Sequence, residues 1–341
     1  MLKFLSIRLL QAIPVLLVMS MITFVIINAP PGDYADFIQT NMIIQGNATF
    51  EAANAAAETY RIEHGLNDPI VIQYFRWIGG IITRGDFGHS YFYNKEVSTV
   101  IAERLPRTLL LALTCHFFAS IFGISFGILA ATRQYGWVDT VLSFVSFLGM
   151  TVPRFLLALV ILYVLAFKLN VQELGSFYSS RFGGQPYWLG FLDFNWAKLW
   201  NLIEHVWPVV LIATFGGLAY NMRVMRGNLL DTLNGQYVET ARAKGLPEHR
   251  VILKHAVPNA LHPLVAYQGV ILPYMLTGEI EVAIVFSLAT VGPAIVSSMG
   301  IGDIYVTATL LLVLGATLII GNIIADMLLA LLDPRVRVGN D

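Results

Sequence analysis

Six long apolar runs, at about 9–29, 106–131, 140–167, 205–226, 263–288 and 304–332, restrict this chain more than anything else in it. A helix crossing about 30 Å of hydrocarbon needs about 20 apolar residues at 1.5 Å rise each, and every run meets that length. The expected fold class is therefore all-α, a polytopic membrane protein with six transmembrane helices. Composition agrees: 56% of the residues are hydrophobic and only 13% charged, against roughly a quarter charged in soluble proteins. The first run exceeds a usual signal-peptide core. Ile26-Ile-Asn-Ala-Pro-Pro31 offers no small-x-small cleavage site, so a retained span is expected.

The loops carry the orientation. With both termini on one side, residues 1–8, 132–139, 223–262 and 333–341 hold 11 of the 21 basic residues in 65 positions. The opposite loops hold 9 in 134 positions. The excess of Lys and Arg puts both termini in the cytoplasm. A net charge of −1, without any basic patch interleaved with aromatics, gives no basis for nucleic-acid binding. Cys115 is the single cysteine and lies inside the second run, so an intrachain disulfide is excluded. The expected role is that of a small apolar core residue.

Between the fourth and fifth runs lies Gln236-Tyr-Val-Glu-Thr-Ala-Arg-Ala-Lys-Gly-Leu-Pro-Glu-His-Arg250, a short polar helix pattern bounded by Gly and Pro on the basic side. A membrane protein that exposes a compact helix there offers it to a soluble partner. Outside, residues 30–105 contain the turn Pro30-Pro-Gly-Asp33, an Ala/Asn-rich stretch from Asn47 to Tyr60, and an amphipathic helix pattern from Val71 to Ile82. Tyr74, Phe75 and Trp77 on that helix favour the membrane interface. A second external segment, Leu169 to Glu204, carries Tyr178, Tyr187, Trp188, Phe191, Phe194, Trp196 and Trp200, a composition that suits an interfacial helix or the mouth of a pathway.

The polar segment resembles the signature loop of ATP-binding-cassette importer permeases: Glu-Ala-Ala, three residues, Gly, nine residues, then Ile-x-Leu-Pro. Here it reads Glu239-Thr-Ala241, three residues, Gly245, nine residues, His255-Ala-Val257-Pro258, with Thr240, His255 and Val257 departing from the pattern. Other pieces extend the resemblance over almost the whole chain. They are Ser20-Met-Ile-Thr-Phe24 with Pro31-Gly-Asp33, Gly65-Leu-Asn-Asp-Pro69 with Gln73-Tyr74, Arg84-Gly-Asp-Phe-Gly-His-Ser90, Arg104-Leu-Pro-Arg-Thr-Leu109 and Leu332-Asp-Pro-Arg-Val-Arg337. In order and spacing the chain is similar to the first permease of dipeptide, oligopeptide and nickel importers that depend on a binding protein.

That resemblance implies one peripheral N-terminal helix plus a five-helix core. The implied divisions are 1–29 (cytoplasmic N-terminus and first helix), 30–105 (extracytoplasmic segment), 106–332 (permease core, with coupling loop 227–262) and 333–341 (cytoplasmic tail). It also implies a heterodimer with a second homologous permease, two ATP-binding subunits, an extracytoplasmic binding protein and a bacterial inner membrane as setting. A phosphate-binding Gly-x-x-x-x-Gly-Lys-[Ser/Thr] loop is absent from the sequence. The expected subunit is thus non-catalytic and free of cofactors, with ATP and Mg held by the partners. Glu239, Ala241, Arg242, Lys244, Gly245 and Pro258 are the expected coupling residues. The two alanines, Ala241 and Ala243, would permit close approach to the ATPase; Gly245 would make a turn with φ > 0; Glu239, Arg242 and Lys244 would make rim contacts; Pro258 would start or kink the next helix.

The translocation path is expected where the third run is interrupted, at Thr151-Val-Pro-Arg-Phe155, because Pro153 removes a backbone donor. Arg154, roughly 21 Å from the inner end of its run, should avoid lipid. Relatives usually carry Ser-x-Pro-Ser there. Glu279 and Glu281 lie at a similar depth in the fifth run, and the expectation is that one of them shares a water-filled cavity with Arg154 or pairs with it. Asp326, near the cytoplasmic end of the last run, is expected to have a structural hydrogen-bonding role. The histidines lack ligand spacing, so no metal site is assigned. Peptide is the expected substrate, with oligosaccharide, opine or nickel complex as alternatives. An ion-coupled secondary transporter using Arg154, Glu279, Glu281 and Asp326 is the alternative class, and it leaves the cytoplasmic helix unexplained. An intramembrane hydrolase lacks a nucleophile motif.

Overall fold

The computed structural model describes residues 2–29, 32–45, 48–90, 92–171, 173–182 and 195–332. They are almost entirely helical: α1 (Leu2–Ile27), α2 (Tyr34–Ile44), α3 (Phe50–His64), α4 (Ile70–Arg84), α5 (Val97–Thr132), α6 (Trp137–Thr151), α7 (Arg154–Tyr163), α8 (Trp196–Leu233), α9 (Gln236–Ala243), α10 (Val257–Val285), α11 (Val291–Gly300) and α12 (Ile304–Leu332). Strand among the described residues is limited to His89–Ser90 paired antiparallel with Lys95–Glu96.

Four helices are long and apolar enough to cross a bilayer unbroken: Leu5–Ile27, Val97–Thr132, Trp196–Leu233 and Ile304–Ile324. The third expected run is a pair instead, Trp137–Thr151 and Arg154–Lys168, bent by 100°. The fifth run falls on α10, which has 29 residues. Helices α5 and α8 both begin well before their apolar runs, at Val97 and Trp196. Hydropathy marks the part that fits hydrocarbon, whereas the backbone ladder continues through polar turns.

The chain divides into two compact units, Met1–Pro106 with Thr290–Ile320, and Arg107–Ala289 with Gly321–Asp341. In the first unit the aromatics of α4 turn inward rather than to a membrane interface. Tyr74 and Trp77 are buried with Phe24 and Ala308, and only Phe75 stays exposed. Phe24 stacks on Trp77 with ring centroids 5.4 Å apart. Tyr74 shares a 2.8 Å hydrogen bond with Ser20, and Trp77 Nε1 donates to Thr309 at 3.3 Å. A buried ring with a polar tip needs such a partner, which is why the α4 face carries Tyr and Trp.

The same unit holds a charged joint. Asp33 caps α2 in a reciprocal box with Asp36, and Arg61 of α3 donates to Asp33 at 2.8 and 3.2 Å and to Asp36. The hydrogen bonds that Arg61 donates to the Asp33 carboxylate hold the guanidinium pKa above its ordinary value. Arg61→Met removes the shared cation and leaves the two carboxylates facing each other. It is expected to cost about 1–3 kcal/mol, seen as faster amide exchange confined to α2 and α3.

The second unit is built around α8. Leu111, Cys115, Val209, Ile212, Val282 and Phe286 lie at the centre of its main core, so Cys115 is the small buried core residue its position suggests. Of the aromatics in the second external segment, Trp196 and Trp200 are exposed on the first turns of α8, as suits an interfacial position, whereas Tyr178 lies under Lys198 Nζ at 5.2 Å. Tyr187, Trp188, Phe191 and Phe194 lie outside the described residues, as do the tail 333–341 and Pro30 and Pro31 of the first external turn.

Candidate coupling and pathway sites

Helix α9 is eight residues long, too short to persist alone in water, so packing must hold it. Val238 and Ala241, three residues apart on one face, are buried in a core that also holds Met225 and Leu229 of α8, Val251, Ala256 and Val257. Ala241 therefore seats the helix on its own chain, and the close approach to a partner expected of it is not available. The opposite face presents Tyr237, Glu239, Thr240 and Ala243 to solvent. Glu239 sits in the first turn, where a negative charge suits the helix dipole.

The helix ends at Lys244, and Gly245 follows with φ +75° while its N–H bonds the carbonyl of Arg242 at 2.9 Å. Left-handed backbone is what glycine allows and most side chains resist. The turn sends the chain to Pro247 and back, so that Glu248 meets Arg242 at 2.8 Å. This pair raises the guanidinium pKa and lowers that of the Glu248 carboxyl. Arg242 thus braces the segment internally, while Glu239 and Lys244 remain the outward charges. A π-helical stretch, Val251–Ala256, then leads into α10, with Pro258 in its first turn. Proline there forfeits only a donor that the helix start leaves unpaired.

Sequence reasoning passed over three residues in this site. Val238 was signalled by its spacing to Ala241. Tyr237 on the polar segment and Leu253 on the π-helical stretch that follows it are 46% and 60% exposed, and large exposed apolar side chains beside charges are what an interface core uses.

At the second site, α6 stops at Thr151 and α7 starts at Arg154. Proline clashes with helical backbone in the residue before it; accordingly Val152 is extended (φ −79°, ψ 124°), and Pro153 caps α7. The interruption expected at Pro153 is a full change of direction, the two helices meeting at 100°. Thr151, Pro153 and Phe155 are exposed around it and Arg154 is half-buried. The guanidinium of Arg154 lies across Gly216 of α8, so close that a Cβ at 216 would sit 3.0 Å from Nε.

Of the two arrangements expected for Arg154 and an acid of the fifth run, a shared cavity or a direct pair, the direct pair is not formed among the described residues. Glu279 is 1% exposed and neither carboxylate oxygen has a hydrogen-bond partner, while Glu281 points to the exposed side. Among the described residues neither carboxylate makes an ion pair with Arg154. The two acids differ by two positions, which on a helix puts them on different faces. Asp326 of α12 is half-buried.

Residues 123–338 match the family described as binding-protein-dependent transport system inner membrane component. Residues 1–112 match the N-terminal region described for the same membrane components. The chain is similar to the oligopeptide transport system permease protein AppB of Bacillus subtilis, 34% identical over 332 residues, covering 97% of this chain and 98% of that protein. A putative peptide permease protein of Brucella suis is 33% identical over 340 residues, 99% of this chain and 100% of the relative. A probable peptide ABC transporter permease protein of Sinorhizobium fredii is 28% identical over 330 residues, with 97% of each covered.

Proposed function

The chain belongs to the family of binding-protein-dependent transport system inner membrane components, and from that premise we propose that it is the permease subunit of an ATP-binding-cassette peptide importer. The observation that carries the finer reading is the polar segment with the stretch after it: a short helix seated by Val238 and Ala241, with Tyr237, Glu239, Lys244 and, beyond it, Leu253 left facing outward. A chain with no phosphate-binding loop needs its energy from outside, and this face suits a soluble ATPase.

In this reading the core spans 106–332 and the loop 227–262 lies in the cytoplasm together with both termini, as the basic residues favour. A second, homologous permease completes the pathway as a heterodimer, and an extracytoplasmic binding protein delivers the solute to the outer side. Two ATP-binding subunits hold ATP and Mg, and the chain itself performs no hydrolysis. When those subunits close on ATP, the segment from Glu239 to Pro258 moves with them, and the path near Thr151, Pro153, Arg154 and Phe155 changes its access. Peptide as solute rests on the names of the relatives.

Purification of the full chain with its membrane partners tests this. Recovery of an ATPase whose hydrolysis responds to the binding protein and a mixture of short peptides is the expected result. A chain that purifies alone and moves solute without nucleotide overturns the reading.

A further inference from the structure

The geometry points to Asp139 and Arg226 as a positioning pair that makes α6 follow α8, so that movement of α9 reaches the Val152–Pro153 break. The inference rests on the coupling role of α9 proposed above.

Arg226 Nε and Nη2 donate to the two carboxylate oxygens of Asp139 at 2.6 and 2.8 Å. Such a bidentate fork fixes direction as well as distance. Asp139 is 4% exposed, and the turn before α6 completes its coordination: the Tyr135 N–H donates at 2.9 Å and Ser143 Oγ at 3.2 Å. On α8, Arg226 lies beside Met225 and within a turn of Leu229, two members of the core that also takes up Val238 and Ala241. The seat of α9 and the grip on α6 therefore occupy one turn of one helix.

From that grip, α6 runs antiparallel to α8 with close contacts at each step. Ser146 Oγ donates to the carbonyl of Ala219 at 2.8 Å. Gly149 lies so close that a Cβ would be 2.8 Å from Ala219 Cβ and 3.2 Å from the Phe215 carbonyl. Beyond the break, Arg154 crosses Gly216. Closely packed helices of this kind transmit displacement as rigid bodies, since packed interfaces do not deform continuously. The polar bonds at Asp139 and Ser146 resist sliding along the axis, which apolar contacts alone permit. The compliant point is the break, where Val152 and Pro153 leave the helical ladder. A push on α9 is carried by α8, transferred at Asp139–Arg226 and expressed as a changed angle at Val152–Pro153.

The test uses the importer assembled with its own partners, in a Cys115→Ala, Thr151→Cys background. Position 151 is exposed beside the break. Maleimide labelling of the introduced thiol is measured without nucleotide and with ATP, magnesium and vanadate. With Asp139 and Arg226 in place the labelling rate changes with nucleotide. Asp139→Asn is expected to lose that change while the ATPase stays bound and hydrolyses ATP. A full nucleotide response in Asp139→Asn overturns the inference, because a merely structural cap does not gate the break. Should Asp139→Asn fail to assemble, Arg226→Lys retains the charge and loses the fork; an undiminished response there overturns it equally. Failure of any ATPase to accompany the unaltered pair counts against the importer reading and not against this pair.

Discussion

Gly245→Val is expected to uncouple the ATPase from the permease while leaving the helical fold intact, and Gly245→Asn to preserve most of the coupling. The backbone at 245 has φ +75°, and a Cβ added there meets nothing within 4 Å. The cost of a side chain is therefore purely conformational. A β-branched residue in the left-handed region is a genuine outlier, at about 1–3 kcal/mol, whereas asparagine visits that region readily. The turn can relieve the strain only by rotating the peptide that sends Leu246 and Pro247 away from α9. That rotation separates Arg242 from Glu248, now 2.8 Å apart, and moves the exposed face of a helix that has only eight residues. Global helicity, set by the long helices, is unaffected. The measurement is ATP hydrolysis with and without binding protein and peptide, beside circular dichroism of the same samples. Equal uncoupling by Val and Asn would mean that the side chain at 245, and not its backbone, faces the partner.

The polar segment was legible because its chemistry is local: a run of helix formers, a glycine, a proline, in a chain otherwise apolar. Pro153 was legible for the same reason, since a missing donor acts where it stands. What was not legible depends on which residues meet across space. Ala241 has the small size of an interface residue and also of a core residue, and only the position of Met225 and Leu229 decides between them. Arg154 was matched to Glu279 and Glu281 by depth, but depth along a helix does not give azimuth; the direct pair is not formed, and the guanidinium lies across Gly216. Asp139 and Arg226 are 87 residues apart; each reads as an ordinary loop-end charge until α6 and α8 are laid side by side. Tyr74 and Trp77 followed the same logic in the first unit. Their amphipathic face was read correctly as apolar, and the neighbour that covers it proved to be protein instead of lipid headgroups.

Gly127→Val is expected to abolish recovery of folded chain, the largest effect of any single substitution considered. Gly123 and Gly127 occupy one face of α5, four residues apart, the spacing that lets two membrane helices approach backbone to backbone. A Cβ at 127 would sit 2.6 Å from Met225 Cβ and 2.8 Å from the Met222 carbonyl; at 123 the distances are 2.6 Å to Asn221 Cβ and 2.8 Å to the Leu218 carbonyl. A carbonyl on a helix has no rotamer to change, so α5 and α8 must part. Parting them breaks the bonds that run along the same seam, from Asn221 Nδ2 to the Ala119 carbonyl at 3.2 Å and from Thr214 Oγ1 to the Cys115 carbonyl at 3.4 Å. The cost exceeds the about 1–3 kcal/mol of ordinary overpacking, where side chains yield. It also reaches the coupling site, because Met225 is both the neighbour of Gly127 and part of the seat of α9. Gly227, on α8 itself, is the contrasting case: a Cβ there meets nothing within 4 Å, so Gly227→Ala should be neutral or stabilise the helix by up to about 1 kcal/mol. Yield of monodisperse protein in detergent and its thermal midpoint measure both. Similar behaviour of the two variants would mean that the α5–α8 seam is looser than its contacts imply, and that α9 rests on a support able to move independently of α5.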